Sequence, residues 1–329
     1  MRSAVEDLPE YKVVKEVIEK FDISTVIKFV LFVGVNDWGL VHVYYKDYGG
    51  NKNYIGSDAL WYAAKDALIE LKTFDPNKLT KHILDKLRFS DKERREQFYI
   101  ISKAVGSDQV LATINNWIQD KILDENSLRE VLEQIQKDTK NEIKREIPTD
   151  KILNLIMRTY SRFLESKGFR IKAEPTVLFD VHIAKVTLRL GLVKAVPNTS
   201  TRSKTRSKYL PVGFPLTGNK ELRQKVVEAW DKVSENSGVS AWDIDAALWK
   251  IGRELCSFDD ELSQKDLSVD PNQLPQTSCP YKRLGEEKGC PLKSVCESYS
   301  GDVGLRILSQ RVVGKTEIVL FLDNLRKLL

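Results

Sequence analysis

Apolar residues recur at intervals of three and four along most of the chain, which is the spacing of amphipathic helices. The pattern predicts helices at about 9–22, 58–71, 76–88, 91–104, 107–119, 126–139, 151–167, 181–191, 220–234 and 245–256, the last with Ser240 or Asp243 as a possible cap. Residues 26–46 are rich in Val, Ile, Phe and Tyr and are interrupted at 34–39. That stretch fits either a small hairpin or a helix followed by a strand. The pattern therefore predicts a mainly α fold.

Composition limits the class of protein. The 329 residues suffice for one bilobal unit or two domains. The net charge of +5, from 52 basic and 47 acidic residues, does not by itself indicate a nucleic-acid partner. There is no apolar leader and no run of 18 apolar residues. We therefore expect an intracellular protein with no membrane partner.

The four cysteines all lie after residue 255 and are spaced C-x22-C-x10-C-x5-C. They are Cys256, Cys279, Cys290 and Cys296. Four thiolates suit a tetrahedral zinc ion or a four-iron cluster. Zinc ribbons generally use C-x2-C knuckles, which are absent here, so we expect a [4Fe-4S] cluster rather than zinc. Two disulfides or four buried thiols are the alternatives, which an intracellular setting disfavours.

Two titratable residues stand at predicted helix starts. Lys151 falls in the first turn of its helix, where most lysines are simply solvated. A lysine that acts as a nucleophile must be neutral, and burial and the positive helix N-terminus both favour loss of its proton. Asp180 is an N-cap by position, and it could also stabilise positive charge that develops on a sugar. His182 more simply makes a structural hydrogen bond.

Two further groups invite a binding role. Asp245 and Trp249 are four residues apart on one helical face, so they could form an aromatic platform beside a carboxylate, or they could be core packing with an exposed acid. A polar loop at 197–219 carries a basic residue at every second position over a short stretch. We expect these four side chains to contact DNA phosphates. The alternative is that the loop is a solvated insertion. The four basic residues are Arg202, Lys204, Arg206 and Lys208.

Three segments carry a resemblance to a known superfamily. They read Phe179-Asp180-Val-His182-Ile, Trp249-Lys-Ile-Gly-Arg253-Glu-Leu-Cys256 and Cys290-Pro-Leu-Lys-Ser-Val-Cys296. They resemble the helix-hairpin-helix DNA glycosylases, in particular the endonuclease III branch with its iron–sulfur loop. The final C-x5-C matches that branch, whereas the two earlier cysteine spacings are longer than in the family.

The middle of the chain is more similar to the archaeal 8-oxoguanine DNA glycosylases. The similar segments are Lys151-Ile-Leu-Asn-Leu-Ile-Met-Arg158-Thr-Tyr160, Phe179–Thr187 and Asp245-Ala-Ala-Leu-Trp249-Lys-Ile-Gly-Arg253. The resemblance implies that Lys151 is the Schiff-base nucleophile and Asp180 the catalytic carboxylate, with Asp245 and Trp249 lining the base pocket. The Leu-Pro-Gly-Val-Gly hairpin of the better-known branches is absent before Lys151.

The resemblance also implies an architecture. It predicts two helical lobes flanking a DNA-binding groove, a possible small β hairpin near the N-terminus and a C-terminal iron–sulfur loop. One lobe would combine residues 1–60 and 196–255, the central lobe would span 61–195, and the cluster loop and tail would span 256–329. The cluster would be structural and would hold nearby basic side chains against DNA phosphates. These side chains are Lys282, Arg283, Lys288 and Lys293.

The function implied is that of a DNA glycosylase with abasic-site lyase activity in base excision repair. Its substrate would be 8-oxoguanine in double-stranded DNA, and the enzyme would be a monomer in the cytoplasm or nucleoid. Two alternatives remain open. One is a glycosylase for uracil, thymine glycol or mispaired adenine, and the other is a non-catalytic iron–sulfur DNA-binding protein.

Overall fold

The structure, a computed structural model, describes a mainly helical chain, as predicted. The described residues are 6, 8–40, 43–46, 53–143, 146–197, 213–215, 220–254, 256, 292, 294, 296, 306–308, 311–313 and 316–320. The chain divides into two compact units. We call Glu6–Pro175 the N-terminal unit, and Met1–Val5 together with Thr176–Leu329 the C-terminal unit. Of the helices in the described part, none has the length and apolar character needed to cross a bilayer.

The N-terminal unit is built mainly from helices. They are α1 (Pro9–Lys20), α2 (Ile23–Asn36), α3 (Ser57–Leu71), α4 (Pro76–Lys86), α5 (Lys92–Val105), α6 (Asp108–Asp120), α7 (Glu125–Thr139) and α8 (Thr149–Leu164). Asp22, Asp75 and Asp91 cap α2, α4 and α5 by accepting hydrogen bonds from backbone N–H groups of the first turn. A short 3-10 turn, Glu165–Lys167, follows α8 and ends at Gly168, whose φ of 83° favours glycine.

Short strands complete the described part of this unit. They are β1 (Val43–Lys46), β2 (Asn53–Ile55), β3 (Arg88–Phe89), β4 (Ile122–Asp124) and β5 (Arg170–Lys172). β1 pairs antiparallel with β2 on one side and β3 on the other, and β4 pairs parallel with β5. Residues 26–46 are thus a helix followed by a strand, the second of the two predicted alternatives. The antiparallel strand pair near the N-terminus is formed by β1 and β2 rather than within residues 26–46.

Helix α2 is the centre of the N-terminal unit because it is apolar on nearly every side. Phe29, Leu31 and Phe32 are fully buried. At Gly34 the helix contacts α8 so closely that an added Cβ would lie 2.7 Å from Cγ1 of Ile156. Residues 9–55 therefore share a core with the helices that follow them. The division at 175/176 differs from the predicted lobes, which assign 1–60 to the other lobe and end the central lobe at 195.

The described residues of the C-terminal unit form helices and short strands. The helices are α9 (Val181–Leu190), α10 (Lys220–Ser237) and α11 (Ala241–Glu254), and the strands are β6 (Val193–Pro197), β7 (Gly213–Pro215), β8 (Arg306–Leu308), β9 (Arg311–Val313) and β10 (Thr316–Leu320). β6 pairs antiparallel with β10, and β9 lies between β7 and β8. The three helices bury one apolar cluster that includes Ile183, Val226 and Leu248. Inside it, the Trp230 indole N–H donates to Thr187 Oγ1 at 2.8 Å.

Candidate functional site

Asp180 stands at the N-terminus of α9, where the sequence predicts it. Its Oδ1 accepts a hydrogen bond from the backbone N–H of Ile183 at 2.9 Å, and the helix ends at Gly191 with φ 73°. The carboxylate is half-buried. Among the described residues, Oδ2 of Asp180 has no hydrogen-bond partner. The cap therefore fixes one oxygen of the carboxylate and leaves the other available for chemistry.

Helix α11 anchors the backbone that leads to Asp180. Asp245 is 4 % exposed, and its Oδ1 accepts a hydrogen bond from the N–H of Leu178 at 2.8 Å. Leu178 lies two residues before Asp180, so Asp245 fixes the approach of the chain to the cap. The sequence predicts Asp245 as a base-reading acceptor. Its position gives it a role in orienting Asp180 that the sequence pattern does not reveal.

Gly252 lets α11 lie directly against the first turn of α9. A Cβ at this position would lie 2.6 Å from the carbonyl oxygen of His182 and 2.7 Å from the His182 Cβ. No L side chain fits at such a distance from backbone atoms. Two segments that are about seventy residues apart in sequence, and that together carry the resemblance, are therefore packed against each other.

Trp249 lies on α11 beside this contact. Its ring is half-buried and meets the ring of His182 edge to face, with centroids 6.1 Å apart. The Arg253 guanidinium carbon lies 5.0 Å from the centroid of the indole ring, a cation–π arrangement. Trp249 is thus not a fully buried core residue, and its ring is also not fully accessible to a ligand because His182 and Arg253 contact it. A stacked base would have to use the part of the ring that Arg253 does not cover.

Two of the four cysteines meet at one arginine. Arg189, in the last turn of α9, is 2 % exposed, and its Nη1 donates to the carbonyl oxygen of Cys256 at 2.6 Å. The carbonyl oxygen of Arg189 accepts from Cys296 Sγ at 3.3 Å. The N–H of Cys256 donates to the carbonyl of Ile251 at 2.9 Å, which fixes its backbone on both sides. Both cysteines pack against the apolar cluster of the unit.

Cys256 and Cys296 lie in segments forty residues apart, and both residues are only partly buried. Thiolates are soft donors that bind iron or zinc. Within the part of the chain that the structure describes, no group of three or more His, Cys, Asp or Glu side chains could hold a metal ion. Cys279 and Cys290 lie outside the described residues. So do the predicted phosphate-contacting bases Arg202, Lys204, Arg206, Lys208, Lys282, Arg283, Lys288 and Lys293.

Lys151 lies in the N-terminal unit, whereas Asp180, Asp245 and Trp249 lie in the C-terminal unit. It occupies the first turn of α8 and is exposed. The neighbouring Asp150 pairs with Arg129 at 3.0 Å. Lys151 therefore stands at a helix N-terminus and is not buried by the described part of the chain.

The N-terminal unit contains a buried ion pair that no pattern in the sequence predicts. Arg158 of α8, seven residues after Lys151 and on the same side of the helix, donates to Glu10 of α1. Burial raises the pKa of Glu10, and the Arg158 guanidinium opposes that rise. No local pattern marks the pair, because an acid in the first turn of an amphipathic helix is usually solvated.

Comparisons of the chain with models of known protein families, with curated proteins and with solved structures find no match.

Proposed function

We propose that the protein is a DNA glycosylase with abasic-site lyase activity that removes an oxidised purine, 8-oxoguanine, from double-stranded DNA. The observation that carries the proposal is the packing of α11 on the entry to α9. It joins the Asp180 segment to the segment from Asp245 to Cys256, which are the segments that resemble the glycosylases. The half-buried Asp180 carboxylate, with one oxygen fixed and one available, suits the task of stabilising positive charge.

Charge distribution supports a DNA partner for the C-terminal unit. Basic and acidic residues are equal in number in Glu6–Pro175, so the whole net charge of +5 belongs to the other unit. Lys and Arg side chains that contact phosphates release counterions from DNA, which favours binding. The predicted basic loop, Arg202 to Lys208, is part of that unit.

The chemistry follows from two residues. The target nucleotide would be flipped out of the stack, because C1′ is inaccessible inside a duplex. As the C1′–N9 bond breaks and the base leaves with the electron pair, Asp180 would stabilise the positive charge on the sugar. Nζ of Lys151 would bond to C1′ while a proton from the amine passes to the departing base. The C1′–O4′ bond would then break and O4′ would take up a proton, which leaves a protonated imine between Nζ and C1′. Loss of a C2′ proton from the imine would then expel the 3′ phosphate.

The four cysteines would hold a structural [4Fe-4S] cluster, with zinc as the alternative. The cluster, when bound, would supply a rigid fold for the C-terminal loop rather than reactivity. Cys256 and Cys296 would provide two of its ligands, and metal binding would remove the proton from Cys296 Sγ. The hydrogen bond from Arg189 to the carbonyl of Cys256 does not depend on that proton.

The test separates the two catalytic roles. A duplex with a preformed abasic site is incubated with borohydride, which reduces an imine to a stable adduct. Lys151→Gln should abolish the adduct, because an amide cannot form the imine. Asp180→Asn should slow excision of 8-oxoguanine by orders of magnitude yet still form the adduct at the preformed abasic site. Lys137→Gln, which removes another exposed lysine of the same unit, is the control.

An adduct that persists in Lys151→Gln would exclude Lys151 as nucleophile. Absence of any adduct with the native protein would favour the non-catalytic DNA-binding alternative. A panel of labelled duplexes tests the substrate. Excision of uracil or thymine glycol with none of 8-oxoguanine would exclude the proposed lesion and leave a glycosylase of another specificity.

A further inference from the structure

The small sheet of the N-terminal unit has one face against the helices and one face open. Along β1, Val43 and Tyr45 are buried, whereas Tyr44 and Lys46 are exposed. Tyr44 pairs with Ile55 on β2 and with Arg88 on β3, and Lys46 pairs with Asn53. These residues form two adjacent rows on the open side. We call Tyr44, Lys46, Asn53, Ile55 and Arg88 the tyrosine face.

The tyrosine face exposes large apolar side chains. Tyr44 is 42 % exposed and Ile55, directly opposite it, is 48 % exposed. Directly opposed residues of antiparallel strands bring their Cβ atoms to about 4.5–5.5 Å. The two side chains therefore form a continuous apolar area, and the bases Lys46 and Arg88 lie beside it.

The other side of the sheet holds this face rigid. The Tyr45 hydroxyl donates to Asp66 of α3, and the Tyr54 ring stacks on Tyr62 of the same helix with centroids 4.2 Å apart. The N–H of Gly56 also donates to the carbonyl of Val43 at 2.9 Å. Because these contacts fix the backbone of β1 and β2, a ligand would meet a surface that is already formed.

The charged residues of the tyrosine face, Lys46 and Arg88, are both basic. Within the described part of the chain, neither Lys46 nor Arg88 forms an ion pair, and no acid occupies an exposed position of the sheet. Other bases of the same unit behave differently. Lys65 pairs with Glu16, Lys86 with Glu70 and Arg129 with Asp150. The tyrosine face thus combines an aromatic ring with two basic side chains that form no ion pair with any described residue.

We propose that the tyrosine face binds single-stranded nucleic acid, with a base stacked on Tyr44 and backbone phosphates at Lys46 and Arg88. Single strands are recognised without sequence preference by two kinds of group. Aromatic rings stack on nucleobases, and neighbouring Lys and Arg side chains bind the phosphates. A duplex offers phosphates but no free base face for Tyr44. A purely apolar partner would desolvate both cations without compensation. The inference does not depend on the proposed glycosylase chemistry.

The experiment measures binding of the full-length protein to a labelled, undamaged 15-nucleotide oligothymidylate by fluorescence anisotropy over a series of salt concentrations. Tyr44→Ala should weaken binding by about 5- to 150-fold, the range measured for loss of one stacked base. Tyr44→Phe should bind as the native protein does, which checks folding. Lys46→Gln with Arg88→Gln should lower the salt slope by about 1.4, because each single-strand phosphate contact contributes about 0.7.

Lys137→Gln with Lys140→Gln, which removes two exposed lysines from α7 and the turn after it, is the matched control. The proposal is overturned if the native protein does not bind the oligonucleotide, or if Tyr44→Ala binds as tightly as Tyr44→Phe. It is equally overturned if the α7 pair reduces the salt slope as much as the Lys46 and Arg88 pair does. A protein that dimerises through Tyr44 and ignores the oligonucleotide would show instead that a second copy covers this face.

Discussion

Asp180 and Asp245 show how far a single residue can be predicted from its neighbours. Asp180 immediately precedes a run with helical periodicity, and its role as N-cap depends on the backbone three residues ahead, so the sequence predicts it correctly. The partner of Asp245 is the backbone of Leu178, sixty-seven residues earlier. No local pattern encodes such a contact, because it exists only once α9 and α11 pack together.

The position of Asp245 predicts different outcomes for two substitutions. Asp245→Asn keeps an oxygen that accepts from Leu178, so excision of 8-oxoguanine should stay near the native rate. Asp245→Ala leaves the N–H of Leu178 without its partner, which should cost about 1–3 kcal/mol of stability and slow excision of every lesion. Single-turnover rates on 8-oxoguanine and uracil duplexes, with hydrogen exchange at Leu178, distinguish the cases. If Asn alone abolishes the preference for 8-oxoguanine, the carboxylate reads the base.

Elements with strong amphipathic periodicity are predicted well, and those with continuous apolar runs are not. Helices α4 to α8 begin and end within two or three residues of their predicted bounds. Helix α2 is buried on most sides, so its periodicity is lost and it could be read as a strand. The sequence also predicts Ser57 as the N-cap of a helix that begins at Asp58. In the structure α3 begins at Ser57 itself, and the Ser57 hydroxyl donates to Asp37. A capping pattern does not reveal a competing partner from another helix.

The close contact of α11 with α9 predicts a substitution that disturbs the site without touching a catalytic group. In Gly252→Ala the new methyl group meets backbone atoms of His182, which cannot rotate away. The free energy of unfolding should fall by about 1–3 kcal/mol, and excision should slow because Asp180 shifts with α9. Gly34→Ala, whose methyl group meets the movable side chain of Ile156, should be less damaging. Equal losses in urea titrations would contradict this account.

The ion pair between α1 and α8 predicts a second stability effect. Glu10→Gln leaves the Arg158 cation buried without its carboxylate, so the free energy of unfolding should fall by about 3–5 kcal/mol. Arg129→Gln, which breaks exposed pairs with Glu125 and Asp150, should cost at most about 1 kcal/mol. Urea unfolding of both variants measures the difference. A small loss in Glu10→Gln would mean that the cost of burying Glu10 offsets the attraction to Arg158.

At the scale of the whole molecule, the sequence predicts a mainly helical chain but not how its segments group. The N-terminal helices join the core around α2 through apolar contacts that many helical arrangements could provide. The proposed catalytic pair, Lys151 and Asp180, belongs to two units, so the sequence resemblance alone relates them. The proximity of Cys256 and Cys296 at Arg189 likewise depends on the packing of the C-terminal unit.

The cysteines predict a measurable metal content. Protein purified without oxygen should be brown, absorb broadly near ~400 nm and carry about four irons per chain. Cys296→Ser should lose most of that iron, because a serine hydroxyl is a poor substitute for a thiolate, while the helical circular dichroism of the N-terminal unit should persist. Iron analysis and the visible spectrum provide the measurement. A colourless protein with one zinc per chain would exclude the iron–sulfur cluster.

The distribution of charge over the two units predicts where duplex DNA is held. The basic residues exceed the acidic ones only in the C-terminal unit, which contains Arg202, Lys204, Arg206 and Lys208. If these four contact phosphates, their replacement by Gln should weaken duplex binding at every sequence and flatten the salt slope by up to about 3–4, since each duplex contact contributes about 0.9. Replacing Lys78, Lys81, Lys137 and Lys140 of the N-terminal unit removes the same charge and should change the slope little. If the salt slope falls equally in both variants, net charge rather than the loop governs DNA binding. If the salt slope of the loop variant is unchanged, the loop is a solvated insertion.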